Sequence, residues 1–184
     1  MPLDHSKIIY LHGLESTSQS GKARQFAQKF PGMLTPDFTG SFEERMNQLR
    51  PILTDKKDWT IIGSSFGGLM GAIFTLDHPT QVCKLILLTP ALMLEPFVSR
   101  PEILPVSVPT VLIHGTLDDV VRMNPVRELA KKAFSNITYY VIDDNHRLHK
   151  AFNELDWEEI LSSWAQSSSI SREAAVEGRV SRKL

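Results

Sequence analysis

The chain has 184 residues, of which 42% are hydrophobic and 22% charged, the usage of one ordinary globular domain. Lys plus Arg is 20 and Asp plus Glu is 21, with a sequence pI near 6.6. That balance excludes bulk electrostatic attraction to nucleic acid or anionic membrane as the main activity. The single cysteine, Cys83, excludes an internal disulfide and argues against a cysteine-based zinc site. A domain of this size buries roughly 70% of its unfolded surface and needs no such staple.

Short apolar runs alternate with segments of helical period, the pattern of a sheet covered on both faces by helices. Lys7 to Leu11 reads as a buried strand. A Gly/Ser/Thr-rich loop from His12 to Ser20 follows, then a helix from Lys22 to Phe30, stopped by Pro31-Gly32. Met33 to Thr35 reads as a short strand ended by Pro36. Ser41 and Glu44 form a capping box ahead of a helix carrying Phe42, Met46, Leu49 and Leu53, which Pro51 should end early.

Trp59 to Gly63 is a strand, Phe66 to Asp77 a small-residue helix, and Leu85 to Leu88 and Thr110 to His114 are two more strands. Thr89 to Pro109 is proline-rich and reads as an excursion over the sheet edge. Asn124-Pro125 should cap a helix from Val126 to Phe134, followed by the β-branched strand Ile137 to Ile142. Asp156 caps the last helix.

The expected architecture is a three-layer α/β/α sandwich around a mostly parallel sheet of about six strands. Residues 1–166 are expected to form one domain and 167–184 a polar tail. No apolar run is long enough for a signal peptide or a membrane span, so a cytoplasmic location is expected.

The sharpest chemical signal is Gly63-Ser64-Ser65-Phe66-Gly67, a G-x-S-x-G between a strand and a helix. So tight a turn needs small residues two before and two after the serine. It lifts the Ser65 hydroxyl off the sheet and sets it at a helix N-terminus, where N–H groups favour a developing oxyanion. His12-Gly13-Leu14 follows the first strand. The Leu14 N–H can therefore join that of Phe66 as a second oxyanion donor, with the His12 side chain shaping the loop rather than moving protons.

A serine hydroxyl needs an adjacent base. Of His5, His12, His78, His114, His146 and His149, His146 is preferred, with His149 as runner-up. His146 follows the last strand, at the carboxyl ends where catalytic groups of open α/β sheets gather. Asp118 or Asp119, in the loop after the Thr110 to His114 strand, is the candidate orienting acid. Lys22 and Arg24 read as solvated helix charges, although a CoA thioester could use them.

With these residues in the order Ser65, Asp118, His146, the chain resembles the α/β-hydrolase superfamily over nearly all of residues 7 to 165. The matching stretches are IIYLHG at 8–13, IIGSSFGG at 61–68, HPTQVCKLILLTPA at 78–91, VLIHGTLDDVV at 111–121 and NHRL at 145–148. The opening LHGLESTSQSGKA and the GSSFGG turn look like a small bacterial esterase-like subgroup.

The resemblance implies a serine hydrolase in which the aspartate of HG-x-x-D falls on Asp118 and the oxyanion donors on Leu14 and Phe66. It also implies strand order 2-1-3-4-5-6 in this chain's own count. Two N-terminal strands of the superfamily and its cap domain have no counterpart, so the pocket is expected to be shallow or to be roofed by Leu92, Met93, Leu94, Phe97 and Val98. His12, Leu92, Met93 and Phe97 are the candidate substrate contacts.

The implied activity is hydrolysis of a carboxylic ester or thioester of a small acyl substrate, with no metal or organic cofactor. The alternatives are a non-catalytic binding module on the same scaffold, or an amide or C–C bond hydrolase.

Overall fold

The apolar runs become strands because both of their faces are covered. In the computed structural model, which describes residues 3–53, 56–100 and 103–162, five strands pair in parallel to form one open sheet. They are β1 (Ile8–Leu11), β2 (Trp59–Ser64), β3 (Val82–Leu88), β4 (Thr110–Gly115) and β5 (Ile137–Ile142), and their spatial order is the chain order. Nearly every residue of β1 to β4 is buried, whereas β5, at the edge, is mostly half-buried.

Alternate strand residues feed two cores. On one face Ile9, Leu11, Ile61, Leu85, Leu87 and Leu112 meet α2 (Phe42–Leu53), α3 (Phe66–Asp77), α4 (Glu95–Val98) and α5 (Met123–Ala133). On the other, Ile8, Tyr10, Ile62, Ile86 and Ile113 meet α1 (Gly21–Lys29), α6 (His149–Glu154) and α7 (Trp157–Ser162). Phe26 of α1 centres the second core, with its ring 4.9 Å from both Phe152 and Trp157 and 5.3 Å from Tyr10.

Three expectations are corrected. The sheet has five strands rather than six, because Met33 to Thr35 contributes only one parallel bridge, Leu34 to Ile9. Its Leu34 carbonyl accepts from Tyr10 N at 2.9 Å and its N–H donates to Ile8 O at 2.8 Å. The positive-φ turn at Gly32 before it and Pro36 after it leave no room for more. The bridge lies beside β1 opposite β2, so the expected order is kept with its second member reduced. Secondly, α5 starts at Met123 with Arg122 as N-cap and no side-chain cap bond, so Asn124 lies inside the first turn. Thirdly, the Thr89 to Pro109 excursion contains a short helix, α4.

The Ser41–Glu44 box is present: Ser41 N donates to Glu44 Oε2 at 2.7 Å and Glu44 N to Ser41 Oγ at 3.4 Å. Pro51 sits in the last turn of α2, two residues before its end. Asp156 Oδ1 accepts from Glu159 N at 3.0 Å and starts α7. No helix among the described residues is long and apolar enough to cross a membrane. The expected tail, 167–184, lies outside the described residues.

Candidate active site

Ser65 occupies the turn between β2 and α3 with φ 53° and ψ −113°, a positive-φ conformation outside the left-handed helical basin that an L-residue adopts only when its surroundings impose it. Backbone bonds impose it here. Ser65 N donates to Leu88 O at 2.9 Å, and the Ser65 carbonyl accepts from Ala91 N at 3.0 Å and Leu69 N at 3.2 Å. A Cβ on Gly63 would sit 2.5 Å from Gly67 O and 2.7 Å from Gly68 Cα, so the turn closes only with glycine. Ser65 Oγ makes no hydrogen bond among the described residues, and the residue is half-buried.

The loop after β1 lies against this turn: a Cβ on Gly13 would be 3.6 Å from Ser65 Cβ. His12 is 1% exposed. Its Nδ1–H donates to Gly13 O at 2.8 Å, and its Nε2 accepts from Phe38 N at 2.9 Å. Both nitrogens are thus committed to backbone, which leaves none for a substrate. The N–H of Phe66, first residue of α3, has no helical partner by geometry, and that of Leu14 has none among the described residues.

The ends of β4 and β5 bring Asp118 and His146 together. His146 Nδ1 donates to Asp118, 2.9 Å from Oδ2 and 3.1 Å from Oδ1. An ionised carboxylate only accepts, so the ring proton sits on Nδ1 and the Nε2 lone pair is free to take another. The Asp118 side chain is 1% exposed, and its Oδ1 also accepts from Val120 N at 3.0 Å and Val121 N at 2.8 Å. Asp119 and His149 are exposed, and neither contacts this pair.

His114, fully buried at the end of β4, stands on the other side of Asp118. Its Nε2–H donates to Val121 O at 2.9 Å and lies 3.3 Å from Asp118 Oδ2. Burial pushes the pKa of His114 down, against the pull of Val121 O and Asp118. The His146 loop is fixed by Asp144, which accepts from Asn145 N at 2.8 Å and from Ala151 N at 2.9 Å in the first turn of α6.

Lys22 departs from expectation. Its chain folds inward and Nζ donates to Ser64 Oγ at 3.0 Å, beside Ser65. Burial lowers its pKa to about 8, partly offset by the charges of Asp144 and Asp118. Arg24 is exposed as expected. The roof is also corrected: Leu92 and Phe97 are 0% exposed and pack in the core. They hold the segment down, and Met93, Leu94 and Val98 form its outer face at 45%, 43% and 44% exposure.

Sequence reasoning missed Arg45. It lies three residues after Phe42 and four before Leu49, on the buried stripe of α2, and a charge at that position of the stripe was the available signal.

The sheet order, the turn at Ser65 and the loops at the strands' carboxyl ends together define an α/β-hydrolase fold. Solved structures agree at low sequence identity. Mouse alpha/beta hydrolase domain-containing protein 10 is 18% identical with TM-score 0.66, over 79% of this chain and 84% of that one. An alpha-beta serine hydrolase homologue from Coxiella burnetii is 18% identical with TM-score 0.66, over 87% and 85%. An esterase from Pyrococcus furiosus is 18% identical with TM-score 0.63, over 84% and 79%. No curated protein sequence matches significantly. The chain belongs to the uncharacterised protein family UPF0227, whose model matches residues 7–100, just over half of its length.

Proposed function

We propose that this protein is a serine hydrolase that cleaves a carboxylic ester or thioester of a small acyl substrate through an acyl-Ser65 intermediate. The observation that carries this reading is the positive-φ Ser65 at the carboxyl edge of the sheet that also presents His146, paired to the buried Asp118 carboxylate at 2.9 Å. The names of the structural relatives, an esterase and a serine hydrolase homologue among them, point the same way.

In this mechanism Ser65 Oγ attacks the substrate carbonyl while His146 Nε2 takes its proton. Asp118 holds the imidazole by Nδ1–H and stabilises the imidazolium. The carbonyl oxygen becomes an oxyanion facing the N–H groups of Leu14 and Phe66. Collapse of the tetrahedral intermediate breaks the bond to the alcohol or thiol, which leaves with the proton from His146. Water then gives its proton to His146, attacks the acyl-serine, and releases the acid and free Ser65.

The test is labelling by a fluorophosphonate probe, with turnover of p-nitrophenyl acetate and of acetyl-CoA. Wild type should label and turn over at least one of the two, and Ser65→Ala should do neither. Unlabelled wild type without turnover, or equal labelling of Ser65→Ala, refutes the assignment and leaves a binding scaffold.

A further inference from the structure

Arg45 of α2 is a charged side chain only 4% exposed, and no carboxylate pairs with it among the described residues. Its Nε donates to Gly40 O and its Nη2 to Leu14 O, each at 3.0 Å. Nη1 is buried with no hydrogen-bond partner among the described residues. The guanidinium carbon lies 5.3 Å from the centroid of the Phe66 ring, within the range of a cation–π contact. One side chain therefore touches both residues proposed as oxyanion donors. Burial alone pushes its pKa down, with no neighbouring charge offsetting the shift.

An unpaired buried cation is costly to a fold, so its place calls for a return elsewhere. Leu14 shows what that return is. The residue is 54% exposed. Its peptides are held instead by polar bonds: Gly13 O accepts from His12 Nδ1 at 2.8 Å and Ser16 N at 3.2 Å, and Leu14 O accepts from Arg45. On the other donor, Phe66 is gripped between Arg45 and Phe42, whose ring is edge-on at 6.1 Å. The Ser41–Glu44 box fixes the start of the helix that delivers both Phe42 and Arg45.

We infer that Arg45 is a positioning residue for the oxyanion hole: it locks the Leu14 and Phe66 peptides in register and places a fixed positive charge behind them. This rests on the reading of Ser65 as an acylated nucleophile. Such an arrangement acts only where negative charge develops. It should therefore strengthen transition-state binding and leave ground-state substrate binding unchanged.

The experiment compares Arg45→Met and Arg45→Lys with wild type, each normalised to active sites titrated with fluorophosphonate. Arg45→Met should lower kcat roughly tenfold to a hundredfold at unchanged KM, less than the 10²–10³ typical of deleting an oxyanion donor outright. The inhibition constant of butylboronic acid, which mimics the tetrahedral intermediate, should weaken by the same factor. Arg45→Lys keeps the charge and one donor and should restore part of the loss. If Arg45→Met does not fold, Arg45→Lys alone carries the test, with reduced kcat and unchanged KM expected.

Wild-type kcat in the folded variants overturns the inference. So does a loss confined to KM, or one that titration shows to be missing folded enzyme. Wild type that neither labels nor turns over refutes the hydrolase reading itself, a different result from an active wild type with fully active Arg45 variants.

Discussion

Gly67→Ala tests whether the Ser65 turn and the loop after β1 depend on one another. A Cβ at Gly67 would point into the end of β1, against the carbonyl groups of Leu11 and His12, with His12 O only 2.7 Å away. Those atoms are backbone, so no side chain can rotate aside. Relief requires α3 to move from β1 by roughly 1 Å, and overpacking on this scale costs about 2–3 kcal/mol. In a chain of this length that lowers Tm by roughly 5–10 °C.

The catalytic penalty should be larger in proportion, because the displaced helix carries the Phe66 N–H away from that of Leu14. A misplacement of about 1 Å costs on the order of a hundredfold in rate, or about 2.7 kcal/mol. The assay is kcat/KM on p-nitrophenyl acetate beside a thermal melt. Gly21→Ala is the control, since a Cβ there meets nothing within 4 Å. Gly67→Ala with wild-type kcat/KM and Tm would show that the two loops are not in rigid contact, and the packing argument would fail.

His114→Leu removes the ring beside Asp118, and kcat should fall roughly tenfold or more as the carboxylate loses its alignment. In an Asp118→Ala background the same change should cost almost nothing further, and additive losses would show that His114 does not act through Asp118.

Lys22 gives a pH prediction. Its folded pKa of about 8 is below the ordinary 10.5, so between those values the unfolded chain binds more protons and stability rises with pH. Lys84, lowered by burial to about 8 as well, adds a similar rise. Denaturant unfolding between pH 8 and 10.5 should show the increase, and Lys22→Met should remove roughly half of it. An unchanged slope would mean that the Lys22 amine titrates as in water.

Local chemistry made much of this protein readable before any coordinates. Strands buried on both faces need apolar runs, and Ile8–Leu11 and Trp59–Ser64 supply them. Gly63, Ser65 and Gly67 encode a turn that only small neighbours permit, so its place was evident from spacing. The Asp156 cap and the Ser41–Glu44 box depend on residues three apart and were equally plain.

What only the tertiary structure decided concerns contacts between distant segments. Spacing and the family resemblance favoured Asp118 over Asp119 and His146 over His149, but they could not show that the favoured two meet. The parallel pairing of β4 with β5 brings Asp118 and His146 to 2.9 Å and leaves the other two in solvent. The Met33–Thr35 run had strand character, but its flanking turn and proline left it one bridge. Lys22 and Arg45 sit on helices where a charge ordinarily faces water. Each turns inward because the segment it meets, the end of β2 42 residues away for Lys22 and the loop after β1 31 residues away for Arg45, offers an oxygen to its donor.

The opening composition, one short and nearly neutral chain, set the scale of the fold. Folding then placed two of its 20 cations, Lys22 and Arg45, at the back of the candidate site. Such a choice depends on which backbone oxygens and hydroxyls the packing leaves unsatisfied, and that is a property of the assembled sheet rather than of any segment of sequence.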